Sequence, residues 1–148
     1  MEALKVISQP EITELKAAVA KAEKRTSGEI RVFIEDSSED GPLDRAAYLF
    51  AQLGMHKTDQ RNGVLIYVAF SDRKFSIIGD KGIHEKVGDI FWDQIKVNMA
   101  THFREGKILK GLLVAVEESG EALSKHFPYQ GSDRNELSDE IMFGDQKK

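Results

Sequence analysis

Seven consecutive residues, VLIYVAF at positions 64–70, carry no polar group beyond one tyrosine hydroxyl. A run of that kind has no face to turn toward water, so both of its sides must be covered. It therefore reads as a central strand with helices packed above and below. Asn62-Gly63 precedes it and Ser71-Asp72-Arg73 follows as a tight turn. Phe75, Ile77 and Ile78 then lead to Gly79-Asp80, so residues 61–82 read as two strands folded back on each other.

The flanking segments supply the covering layers. Ser8-Gln9-Pro10-Glu11 has the form of a capping box with proline in the first turn, and Ile12, Leu15, Val19 and Ala22 follow at helical spacing. Thr26-Ser27-Gly28 ends that helix. Residues 29–35 then alternate, with Ile30, Val32 and Ile34 on one face and Glu29, Arg31, Phe33 and Glu35 on the other. That pattern predicts a strand with one mostly polar face, or one near the sheet edge. Pro42 opens a second helix carrying Ala46, Ala47, Leu49, Phe50 and Leu53, closed by Gly54. Val87, Phe91, Ile95, Met99 and Phe103 mark a third helix, with Trp92 read as core. Glu105-Gly106 separates it from a fourth, lined by Leu109, Leu112, Leu113, Val116 and Leu123 and ended by Phe127-Pro128.

The order helix, strand, helix, strand, strand, helix, helix predicts an α/β fold: a three-layer α/β/α sandwich around a small mixed central sheet. The crossover makes the first two strands parallel, and the tight turn makes the third antiparallel to the second. Residues 1–127 form the expected domain and residues 128–148 a polar C-terminal tail. Within that tail the cluster Ile141-Met142-Phe143 is as consistent with docking on the domain or a partner as with staying free. No internal repeat is visible.

Composition excludes several functions. The formal net charge of −4 argues against a nucleic-acid binder, which needs a clustered basic face. There is no cysteine, which removes disulfides, thiolate metal sites and cysteine nucleophiles. The N-terminus lacks the pattern of a secretory signal, and no window reaches the length of a membrane span, so a soluble cytoplasmic protein is expected. There is no G-x-S-x-G elbow and no phosphate-binding G-x-x-x-x-G-K-[ST] loop.

The expected topology brings Glu29, Asn62 and Asp80 to one edge of the sheet, with Asp59 close by and Glu85 a little further on. Carboxylate and amide oxygens converging on a point are what a hard cation such as Ca2+ or Mg2+ requires. Glu29, Asp80, Asn62 and Asp59 are accordingly the candidate metal ligands. The plainer reading is solvated acids in a chain that holds 25 of them, with Asn62-Gly63 serving only the turn. The opposite edge gathers Glu35, Asp36, Glu39, Asp40 and Asp72, a second candidate cation site or a hydrated loop. Of the four histidines, His102 and His126 fall in helices. His56 and His84 are expected in loops within reach of Asp80, in a structural or solvent-facing role.

Three short motifs in order resemble the TPM domain, the family that includes thylakoid-lumen photosystem-repair proteins and phosphatase-like domains. They are Thr26-Ser27-Gly28-Glu29-Ile30, Arg61-Asn62-Gly63-Val64-Leu65 and Gly79-Asp80-Lys81-Gly82-Ile83. The spacing from Phe103 to Gly106 and the run Gly111-Leu112-Leu113 extend the resemblance over residues 7–127. The polar stretch Asn135 onward looks like the end of a soluble bacterial subgroup. The resemblance implies an α/β/α sandwich. It also implies members that hydrolyse phosphate esters or nucleotides, members that bind calcium or magnesium through an acidic cluster, and members that serve as assembly or repair factors. The family's glutamate falls on Glu29, its N-G-V-L asparagine on Asn62 and its glycine-rich turn on residues 79–82. This chain departs from the pattern where Ser27 interrupts the threonine-glycine pair and where Arg61 replaces an aspartate common in the family. It also shows neither the N-terminal signal nor the C-terminal anchor that many members carry.

Two functions follow as expectations. In the first, Glu29 and Asp80, helped by Asn62 or Asp59, hold a divalent cation that supports weak phosphatase or nucleotide-hydrolysing activity, with Arg61 available to grip a phosphate. In the second, the domain is a non-enzymatic binding or assembly module, the ion only steadies loops, and a protein is the partner. The lack of an obvious nucleophile favours the second.

Overall fold

The structure, a computed structural model, describes residues 6–129 and 141–144. The chain forms α1 (Gln9–Glu23), β1 (Glu29–Glu35), α2 (Pro42–Gln52), a single 3-10 turn (Met55–Lys57), β2 (Gly63–Ala69), β3 (Lys74–Gly79), α3 (Lys81–Arg104), α4 (Ile108–His126) and β4 (Ile141–Phe143). The expected capping box opens α1: the Glu11 amide donates to Ser8 Oγ at 3.3 Å and the Ser8 amide to Glu11 Oε1 at 2.9 Å. Those bonds satisfy donors that a helix start would otherwise leave unpaired.

The four strands lie in the order β3-β2-β1-β4. β1 runs parallel to β2 with Glu29 opposite Gly63, and β3 runs antiparallel to β2 with Gly79 opposite Val64, as the connections require. One face of the sheet, carrying Ile30, Val32, Ile34, Val64, Ile66 and Val68, packs against α1, α3 and α4. The other face, carrying Phe33, Leu65 and Tyr67, packs against α2 through Ala46, Leu49 and Phe50. This is the three-layer α/β/α sandwich. Every residue of β2 is buried, as its unbroken apolar run demands. No described helix is long and apolar enough to cross a membrane.

Three local readings change. β1 is neither an edge strand nor wet on one side: all seven of its residues are buried. The reason is in part β4, which pairs Val32 with Ile141 and Ile34 with Phe143 along the outer edge of β1, while Arg45 of α2 engages Glu35 and Phe33 on its polar face. The cluster 141–143, left open by the sequence, thus docks as a strand. The remainder of the 128–148 tail, apart from Pro128, Tyr129 and Gly144, lies outside the described residues. α3 starts at Lys81, so His84 sits in its first turn, and His56 sits in the 3-10 turn; neither is in a loop. α3 also bends at Gly88, whose φ of 78° a side chain would resist.

Of the acids gathered at the far end of the sheet, Glu35 is paired with a cation, and Asp36 and Asp72 accept hydrogen bonds from neutral groups. Arg45 grips Glu35 with two bonds of 2.9 and 3.0 Å, and the Tyr67 hydroxyl donates to the same carboxylate. Asp72 accepts the Ser38 amide at 3.0 Å, and Asp36 accepts the Ser71 hydroxyl.

Candidate functional site

The edge predicted to gather Glu29, Asn62 and Asp80 is built by register. The Asp80 amide donates to the Gly63 carbonyl at 2.8 Å, and Gly63 stands opposite Glu29, so Glu29, Gly63 and Asp80 form one row across three strands. Paired positions share a face, so both carboxylates belong to the α2 side of the sheet. Their backbones flank β2 and are about 10 Å apart, twice the usual interstrand spacing. Met55 occupies the position over Gly63 between them, with its carbonyl oxygen 3.1 Å from where a Cβ would stand.

Asp80 is the hub of this edge. It is 6% exposed and is the N-cap of α3, where its Oδ1 accepts the Lys81 amide at 2.7 Å. Arg61 grips it with two bonds, Nε to Oδ2 at 2.7 Å and Nη2 to Oδ1 at 2.9 Å. The bonds to Asp80 first, and its charge second, hold the Arg61 guanidinium protonated above its ordinary range. The Arg61 carbonyl meanwhile accepts the amides of Gly82 (2.8 Å) and Ile83 (3.3 Å), and the Asp80 carbonyl accepts that of His84 (2.8 Å). All of the first four amides of α3 are therefore paired within the protein, and none is left to cradle an anion. The clasp demands glycine at position 82, because a Cβ there would lie 2.1 Å from the Gln60 carbonyl oxygen and 2.7 Å from that of Arg61.

The other candidates separate from this hub. Asn62 is 1% exposed, its amide donates to Thr58 Oγ1 at 3.1 Å, and its Nδ2 donates to Ser27 Oγ at 3.2 Å. Ser27 in turn donates to Gln60 Oε1 at 2.7 Å. The Asn62 Oδ1 has no partner among the described residues, an unusual state for a buried acceptor. Glu29 is buried at the start of β1, whereas Asp59 and Glu85 are exposed. His84 is engaged by Trp92, whose indole N–H reaches its Nδ1 at 3.0 Å. Among the described residues no three acidic or histidine side chains converge as a ready-made cation cage.

Asp80, Arg61 and His56 line a cleft of about 410 Å3, walled by Ala47, Phe50 and Ala51 of α2 and by Ile78 and Gly79 of β3. Arg61 as the partner of Asp80 is absent from the sequence reading, which assigns it to a phosphate instead. The signal was present in the hairpin: pairing 69 with 74 and 64 with 79 brings 61 to 82 if the ladder is continued.

The family model of the TPM domain matches residues 2–122. Among solved structures, the BA42 protein of the psychrophilic bacterium Bizionia argentinensis is 43% identical, with a TM-score of 0.86 over 93% of this chain and 95% of that one. The N-terminal domain of cg2496 from Corynebacterium glutamicum is 18% identical, with a TM-score of 0.63 over 79% of this chain and 74% of that one. The N-terminal domain of a P. gingivalis protein is also 18% identical, at 0.68 over 84% and 83%; both share the fold alone. No curated protein matches. With its three motifs in place on the sandwich they predicted, and the family model spanning most of its length, this chain belongs to the TPM domain family.

Proposed function

We propose that this chain is a divalent-cation-binding TPM domain in which Ca2+ or Mg2+ competes with Arg61 for the Asp80 carboxylate. One observation carries the reading: a buried carboxylate at the sheet edge has both oxygens held by one guanidinium whose side chain is 47% exposed. A cation already stands in the carboxylate fork, and it is tethered only by a side chain free to swing into water. The donor chemistry at this end of the sheet is of the kind a hard cation takes: the Glu29 carboxylate, the Met55 carbonyl, and the Asn62 Oδ1, which has no partner among the described residues. Asp80 and Glu29 would hold the ion, with Asn62 or Asp59 completing the set.

Displaced from Asp80, Arg61 would be available to a phosphate oxygen in the cleft it shares with His56. A bound ion supplies neutralisation of phosphate charge and a more acidic bound water. Weak phosphate-ester or nucleotide hydrolysis is the activity this arrangement suits. The second reading, a non-enzymatic binding module, is favoured by the lack of a serine, threonine or unpaired carboxylate among the described residues lining that cleft.

The deciding experiment is a thermal melt of chelator-stripped protein with added Ca2+ or Mg2+. An ion at a hundredfold excess over its dissociation constant stabilises by about 2.7 kcal/mol, which raises the midpoint of a domain this size by roughly 5–10 °C. Arg61→Gln keeps the main-chain clasp and removes the competitor, so it is expected to bind the ion more tightly than the parent chain. Asp80→Asn is expected to abolish the response. A flat melt with both ions, in the parent and in Arg61→Gln, would overturn cation binding. Turnover of p-nitrophenyl phosphate no greater than a metal-only blank would leave the binding module.

A further inference from the structure

At the end of the sheet remote from Asp80, the β2–β3 turn, the last turns of α3 and the start of α4 enclose a groove of about 770 Å3. That volume is in the range of sites that take drug-sized ligands. Its floor is the buried Val68, and its walls are the half-buried Phe70, Phe75, Phe103 and Ile108. Phe75 and Phe103 meet edge to face at 5.1 Å, and the Phe103 ring lies so close to Gly111 that a Cβ there would be 2.4 Å from it. The aromatic wall is thus fixed by close packing against α4.

The rim differs in kind. Arg73, Lys74 and Arg104 are all exposed around the opening, and no acid is among the described residues that line it. No ion pair engages any of the three among the described residues. In a chain whose net charge is −4, this local excess of cations over an apolar cavity runs against the overall sign. A complementary ligand has an apolar body and one anionic head. Three cations are too few to follow a polyanion, and aromatic walls below the rim add nothing for a small inorganic anion. The concave shape admits a chain tail first with its head left at the surface, which a free amphiphile offers and a bilayer, presenting its headgroups first, does not.

We propose that this groove binds a free single-chain carboxylate of fatty-acid type, its tail against Phe70, Phe75 and Phe103 and its head on Arg73, Lys74 and Arg104. The test is a 1H–15N NMR titration of the full chain with dodecanoate, kept below its micelle-forming concentration. Saturable shifts confined to residues 68–75 and 100–108, weakening as salt is raised, are expected. The double variant Lys74→Glu/Arg104→Glu, at exposed positions, should raise the dissociation constant by about tenfold. Ala100→Trp, which fills the groove, should abolish binding; if that variant fails to fold, the charge reversal alone decides. Equal shifts with dodecanol or dodecyltrimethylammonium would overturn the proposal, because the rim would then select nothing. So would a response seen only with anionic vesicles, or one that follows protein concentration without ligand and so reports a second copy in the groove.

Discussion

Tyr67 stands at 0% exposure in the middle of the sheet and still carries a polar group, made tolerable by Glu35 and Arg45. Burial first, and the bond to Glu35 second, push the Tyr67 hydroxyl well above its ordinary pKa. The unfolded chain releases that proton near pH 10, where the folded chain still holds it. The folded state therefore binds more protons than the unfolded state above that pH, and stability falls as pH rises from there. Melts of the parent and of Tyr67→Phe between pH 8 and 11 should diverge, with the steeper loss in the parent. Arg45→Ala removes the counter-charge of a buried carboxylate and its contact with the Phe33 ring. It is expected to cost about 2–3 kcal/mol in urea unfolding, somewhat below the cost of breaking a fully buried pair because Arg45 is partly exposed. Gly82→Ala forces a methyl group into the Gln60 and Arg61 carbonyls, which belong to main chain and cannot rotate away. A loss of about 2 kcal/mol is expected, together with an altered cation response, since the Arg61 clasp is the part displaced.

Among the elements, β4 has the largest effect for its length. Its three residues pair with the edge of β1 at residues 32–34 and set the half-buried Met142 against the cluster on the α2 side, with Ile141 and Phe143 on the opposite face. Removing residues 130–148 uncovers the β1 edge at the apolar residues Val32, Phe33 and Ile34. A loss of about 1–3 kcal/mol is expected, with concentration-dependent association detectable by light scattering, since an unpaired edge recruits other strands. At the other terminus, Ser8→Ala removes a cap whose bonds are local and solvent-exposed. About 1 kcal/mol should be lost, and the sheet edges should show no new association. The contrast separates an element held by its own end from one that completes a neighbour.

Across the whole molecule, the Asp80 edge and the aromatic groove lie at opposite ends of the sheet. Asp80 and Glu29 stand at one end, and Arg73 and Lys74 with Arg104 at the other, with the length of β2 between them. Sites with no shared side chain couple weakly. Cation binding at Asp80 and dodecanoate binding at the groove should therefore raise the melting midpoint additively, and a marked departure from additivity would mean that β2 and β3 transmit strain between the ends. Much of this arrangement was legible beforehand. The apolar run 64–70 required a strand covered on both sides, the connections required β1 parallel and β3 antiparallel to β2, and those relations alone put Glu29, Asn62 and Asp80 at one edge. Periodicity and connection rules are local or topological, so a sequence carries them directly. What each side chain does once it arrives is different. The bidentate hold of Arg61 on Asp80, the turn of Asn62 toward Ser27, the placement of Met55 over Gly63 and the burial of Arg31 and Glu35 depend on contacts between distant segments. Those contacts are fixed by register and by the packing of layers, to which no local pattern is sensitive. Thus the sequence by itself determined the layers, the strand directions and the family. Only the tertiary structure decided that the Asp80 carboxylate is held by an arginine and that residues 141–143 complete the sheet, because both depend on which surfaces remain unpaired after the rest has folded.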